Sequence, residues 1–152
     1  MILYIEDLLA DINVMNWYRG EAEKRNDVNA DLVQSDVTNQ DVILEFVKTA
    51  VNDVLMMANP NRVKFLCEYE NDALCFHLSP LRKDREYLMG ALKEAIRIYI
   101  ITEVRRLWMM TMKPEWADGS LREELKMRII DAMGAVTDRG EIVRRRYSAM
   151  GL

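Results

Sequence analysis

The stretch from Ser79 to Pro114 reads SPLRKDREYLMGALKEAIRIYIITEVRRLWMMTMKP, and it constrains the fold more than any other part of the chain. Ser79 is a good N-cap, and Pro80 suits the first helical position, where its missing N–H would have no partner in any case. Leu88, Ala91, Leu92, Ala95, Ile96, Tyr99, Thr102 and Leu107 mostly follow steps of three and four, which places them along one stripe of a helix. Ile98, Ile100, Ile101 and Val104 widen the stripe, so the middle of this helix touches neighbours on more than one side. A helix of some thirty residues would span roughly 45 Å, more than a domain of this size needs for its core. Gly90 costs about 1 kcal/mol relative to Ala and marks close packing or a bend. Core residues are expected up to about Leu107, with the Trp-Met end beyond it left for a partner.

The other elements fall into place around this spine. Residues 2–16 suit a short amphipathic helix with Ile5, Leu8, Leu9, Ile12 and Met15 on one side; Trp17 and Tyr18 close it and Gly20 terminates it. Residues 19–37 are polar and weakly patterned, and predict a mobile loop or partner-contacting arm. A second helix starts near Thr38, with Thr38 and Asp41 as a weak capping box and Val42, Phe46, Val47, Ala50, Val51, Val54, Leu55 and Ala58 as its apolar face; Asn59 and Pro60 end it. Then comes the one strong β signal, a hairpin at about residues 62–78. A two-residue turn at Asn71 and Asp72 pairs Tyr69 with Leu74, Cys67 with Phe76 and Phe65 with Leu78, putting all six on one face. A three-residue loop would set Cys67 opposite Cys75 but split the apolar set, so no Cys67–Cys75 disulfide is expected. A lone hairpin is marginal in water and must pack on the helices or pair with another subunit. After a connector at 113–119, Ser120 and Glu123 form a capping box for a last helix whose inner face is Leu121, Leu125, Ile129, Ala132, Met133 and Val136. Gly140 ends that helix, and residues 140–152 are a basic tail. The expected fold is mainly α: a single domain over residues 1–152, a bundle of about four helices around one long central helix, with the hairpin between the second and third major helices.

Composition narrows the function classes. Half of the 152 residues are apolar and 30% are charged, which describes a globular chain able to bury its own core. No apolar run reaches the length of a membrane span without a charge, because Arg97, Glu103, Arg105 and Arg106 interrupt the best candidate. The opening MILYIEDLLADI has no basic n-region and carries acids, unlike a signal peptide. The chain contains no Gly-rich phosphate loop, His-Glu-x-x-His, Cys-x-x-Cys or Gly-x-Ser-x-Gly. Its single histidine, His77, falls on the outer face of the hairpin, and its two cysteines read as reduced thiols without a reactive role. No catalytic residue, metal site or cofactor is expected.

Two features point to partners instead. The run LWMMTMKPEW cannot bury all its apolar residues at a helix end: Leu107, Trp108 and Met112 can join the core, and Trp108, Met109, Met110 and Trp116 are the candidate interface residues. Arg144, Arg145 and Arg146 in the tail are a solvated charge run, a contact for a partner's acidic surface, or a contact for phosphates. Charge is unevenly spread: residues 1–78 hold 6 Lys and Arg against 14 Asp and Glu, and residues 79–152 hold 15 against 11. Either these are solvated faces of opposite bias, or the acidic half of one subunit meets the basic half of the next, a head-to-tail contact that can close a ring. The net negative charge argues against a general nucleic-acid binder, and no sequence-specific nucleic-acid contact is expected.

The order of elements has a counterpart. A short N-terminal helix, VILEFVKTAVNDVLMMA, the long ALKEAIRIYIITEVRRLW, and LREELKMRIIDAMGAV before a basic tail together resemble the head–tail connector (adaptor) proteins of tailed bacteriophages and prophages. The resemblance covers roughly residues 40–150 and rests on helix order and texture. It implies a non-enzymatic helical subunit made in the bacterial cytoplasm, forming a homo-oligomeric ring in the virion against portal or tail-completion proteins. The competing readings are a non-viral helical protein-binding adaptor or regulatory module, and an enzyme of unfamiliar type using scattered carboxylates.

Overall fold

A computed structural model describes residues 1–23, 34–35, 37–58 and 63–137. The fold is mainly α, with four helices and one small antiparallel sheet. The order is β1 (Ile2–Tyr4), α1 (Ile5–Glu23), α2 (Gln40–Met56), β2 (Lys64–Glu70), β3 (Ala73–Ser79), α3 (Met89–Met112) and α4 (Arg122–Val136), with short 3-10 turns at Val37–Asn39, Lys83–Leu88 and Pro114–Trp116.

Helix α3 is the spine. At 24 residues it is roughly 36 Å long, and α1, α2 and α4 all pack against it. Leu92, Ile96, Tyr99, Ile100, Ile101 and Val104 are buried along it, at about 1.5–3 kcal/mol per large apolar side chain. Burial continues past Leu107, which is only half-buried, through Trp108 and Met109. The core therefore extends two residues further than expected. The helix also starts later than Ser79. Ser79 pairs with Lys64 at the end of the sheet, so its backbone is committed to an extended strand and cannot cap a helix. The charged run that follows forms the 3-10 turn Lys83–Leu88, where Arg82 grips Asp84 through two nitrogens at 2.9 and 3.1 Å. This turn also serves α4, whose last carbonyls accept the Arg82 N–H (Val136, 3.1 Å) and the Arg85 guanidinium (Ala135, 3.2 Å).

The hairpin has the expected register, with Tyr69 opposite Leu74, Cys67 opposite Phe76 and Phe65 opposite Leu78. Asn71 and Asp72 both have positive φ, at 46° and 59°, as a two-residue primed turn requires. Phe65 and Phe76 stack at 5.7 Å on the inner face, and Cys67 and Cys75 lie on opposite faces as free thiols. The hairpin is not alone. β1 adds to β3 in register Leu3↔Leu74, giving the strand order β1-β3-β2, so residues 2–4 belong to the sheet and not to the first helix.

Helix α1 differs from expectation at both ends. It begins at Ile5 and passes Trp17, Tyr18 and Gly20 to end at Glu23, taking in the first residues assigned to a loop. Its buried stripe runs Leu8, Ile12, Asn16, Gly20, one residue per turn. The polar Asn16 holds a stripe position because the returning chain docks there. Asn16 Nδ2 donates to Ser35 Oγ at 2.9 Å, Ser35 Oγ donates to Asn13 Oδ1 at 2.6 Å, and Gln34 Nε2 donates to Glu21 Oε1 at 3.0 Å. Met15, expected inward, is 44% exposed.

Two other starts and faces shift. α2 is N-capped at Asn39, after a 3-10 turn, not at Thr38; Ile43 takes the inward position while Val42 is exposed. Before α4, Asp118 Oδ1 accepts the Ser120 N–H at 2.8 Å, so Asp118 does the turn-holding expected of Ser120 and Glu123; Leu121 is exposed, whereas Leu125, Ile129, Met133 and Val136 are buried. Glu123 instead pairs with Lys126. No helix among the described residues is long and apolar enough to cross a membrane.

Candidate functional site

The Trp-Met run divides between core and surface. Trp108 and Met109 are 2% and 5% exposed and are part of this chain's own core, so neither presents a face to a partner. The reason is geometric: α4 and the turn after α3 wrap the last helical turn, supplying the neighbours that sequence alone did not predict there. Met110 is half exposed, and Trp116 is half-buried. Arg144, Arg145 and Arg146 lie outside the described residues.

Trp116 belongs to a cleft of about 240 Å³ between the late part of α1, the second half of α3 and the turn leading into α4. Three arginines line it: Arg19 from α1, and Arg105 and Arg106 from α3. The Arg19 guanidinium sits 5.4 Å from the Trp116 ring centre and the Lys113 ammonium 5.0 Å, so two cations share one indole. The arginines are not equivalent. Arg106 forks onto Glu103, with Nε to Oε2 at 2.9 Å and a terminal nitrogen to Oε1 at 2.7 Å, and this raises its pKa. Among the described residues no acid pairs with Arg105 in this way. Its buried Nε has no hydrogen-bond partner, and burial followed by repulsion from Arg19 pulls its pKa down. Asp118 is the one carboxylate lining the cleft among the described residues, and the Ser120 hydrogen bond holds it below the usual carboxylate range.

Behind the cleft lies a charged network that locks three helices together. Glu103, 3% exposed, also meets Arg122 Nε at 3.3 Å, and Arg122 donates to Asp53 Oδ2 at 2.6 Å. The Tyr99 hydroxyl donates to the same Asp53 oxygen at 2.9 Å, and burial together with that hydrogen bond pushes Tyr99 well above the usual phenol range. Asp53 is on α2, Tyr99, Glu103 and Arg106 on α3, and Arg122 on α4. The network's charges balance, which suits a structural clamp. It contains no nucleophile paired with a base.

Beside Arg19, the outer face of α1 carries Val14, Trp17 and Tyr18 at 53%, 48% and 64% exposure, with the two rings edge to face at 5.3 Å. At the other end of α1, the Ile5 N–H bonds to the Asp72 carbonyl at 2.9 Å, bringing Glu6 next to the hairpin turn with its exposed Glu70 and Asp72. Glu6 and Arg19 are thirteen residues apart on one helix, which separates the acidic end from the arginine cleft by roughly 20 Å.

Sequence reasoning missed Arg19, Arg105, Trp17 and Tyr18 as site residues. Arg105 counted only as a charge that interrupts an apolar run, and Trp17 and Tyr18 only as a helix end. His77 is exposed on the outer sheet face, 3.6 Å from Glu68. Burial, then the neighbouring Cys75 and Glu68, pushes the Cys67 thiol up to about 11, which makes it a poor nucleophile. No three His, Cys, Asp or Glu side chains converge to hold a metal ion among the described residues. No protein-family model, curated protein or solved structure matches the chain.

Proposed function

We propose that the chain is a non-catalytic assembly subunit that associates head to tail, of the kind its helix order resembles in the head–tail connectors of tailed phages. The observation that carries this reading is the polarity of α1. Near its start Glu6 lies beside Glu70 and Asp72, and further along, before the Glu21 and Glu23 of its last turn, Arg19 reaches the arginine cleft next to exposed Trp17 and Tyr18. Unlike surfaces on one subunit favour a heterologous contact, which closes into a ring or continues as a filament. Exposed aromatic side chains next to an arginine are also the composition of interface hot spots. In this reading the subunit is made in the bacterial cytoplasm, joins a virion, and meets portal or tail-completion proteins through its ring.

Sedimentation velocity over a range of concentrations and salt tests it. Species larger than a dimer should grow with concentration and recede at high ionic strength. Replacing Trp17 and Tyr18 together by Ser should weaken association by about tenfold or more with the fold intact. A strict monomer at high concentration, with no ring formed on adding a portal protein, would overturn the proposal.

A further inference from the structure

In the arginine cleft one buried donor, Arg105 Nε, has no hydrogen-bond partner. Arg105 combines a partly buried guanidinium, a buried Nε without a hydrogen-bond partner, and repulsion from Arg19. An exposed arginine satisfies its donors with water, but a buried donor left unmade costs about 1–3 kcal/mol. The helix sequence offers no necessity for this arrangement, because Arg106, one residue on, reaches its own acid Glu103. The cleft walls are also suited to a ligand: a half-buried indole forms one side, and the Thr102 side chain lines the same space.

We infer that this cleft is a binding site for a single carboxylate group, held by the Arg105 fork with Arg19 and Trp116 beside it. An oxyanion is the natural complement of a guanidinium fork, since two parallel N–H···O bonds match its geometry. Charge selects among oxyanions. Arg106 is already neutralised by Glu103, and Asp118 places a negative charge in the lining, which disfavours a phosphate dianion more than a monoanionic carboxylate. That the cleft takes a carboxylate does not depend on the assembly reading. Its source does: if the subunits join head to tail, the carboxylate comes from the acidic end of the next copy, and otherwise from a free acid or another protein.

NMR of the full chain, following the Trp116 indole N–H and the arginine Nε resonances, tests the site with sodium acetate as probe at constant ionic strength. Acetate should shift Trp116 and Arg105 saturably, with an affinity in the millimolar range. Arg105→Gln should weaken binding roughly tenfold, and Arg19→Gln, at an exposed position, by a smaller factor. Arg128→Gln, on the far side of α4, should leave it unchanged. A shift that rises linearly as it does with chloride, or one unchanged in both Arg105→Gln and Arg19→Gln, would overturn the site. Inorganic phosphate binding more tightly than acetate would overturn the carboxylate assignment. A peptide copying residues 68–73 then identifies the source. Tighter binding than acetate, lost in its Gln and Asn counterpart, assigns the site to the next subunit, and parity with acetate assigns it to a free acid. Acetate binding by a chain that sediments only as a monomer would sustain the site while removing the assembly reading.

Discussion

Glu103 sits at the centre of the α3 surface that α4 covers, and its 3% exposure would be prohibitive for a lone carboxylate. Arg106 and Arg122 make it tolerable, and through Arg122 and Tyr99 the charge is tied to Asp53 on α2. Removing the acid strands Arg106 and leaves Arg122 with Asp53 alone, and both guanidinia remain partly in contact with water, at 21% and 34% side-chain exposure. Glu103→Ala should therefore lower the unfolding free energy by about 2–3 kcal/mol, below the range for wholly buried pairs. Urea denaturation would measure this, and Glu94→Ala, an exposed acid on the same helix, should be close to neutral. In the sequence Glu103 registers only as an interruption of an apolar run. Nothing in local spacing distinguishes a buried, doubly matched acid from a solvated one, because the matching arginine at 122 arrives from another helix.

At the scale of elements, legibility followed the period of the side chains. The hairpin could be read to the residue: alternation and a two-residue Asn-Asp turn together admit one register, and a slip would have moved Phe65, Phe76 and Leu78 to the wet face. The left-handed turn gives a prediction. Asp72 holds φ at 59°, where glycine is at ease, so Asp72→Gly should raise stability by about 0.5–1 kcal/mol. Asp72→Val should lower it by about 1–2 kcal/mol, as a midpoint shift in urea. Helix ends were less legible because they depend on distant partners. α1 outruns its apparent stop because Ser35 makes a buried place for Asn16, and β1 hides within three residues whose strand partner is seventy positions away. Ser79 fails as a cap because the sheet claims it first. Trp108 could be read as core or interface and Met109 as interface, and contact between α3 and α4 buries both.

At the scale of the whole molecule, the opposite charge of the two halves is partly consumed within the chain. Arg97 on α3 pairs with Asp11 on α1, and Arg122 on α4 pairs with Asp53 on α2. Glu6, Glu70 and Asp72 lie together near the start of α1, and Arg19 and Arg105 line the cleft further along it. Head-to-tail association through these two groups is the central claim, and two half-blocked variants test it most directly. One carries Arg19→Gln with Arg105→Gln, the other Glu6→Gln with Glu70→Gln; neutral replacements prevent a swapped charge pair from substituting for the native one. Sedimentation velocity at low salt should find each variant alone as a monomer near 17.8 kDa. Mixed in equal amounts they should form a 1:1 dimer that grows no further, since only one competent interface exists between them. A mixture that stays monomeric, or blocked variants that assemble as the unaltered chain does, would contradict the account.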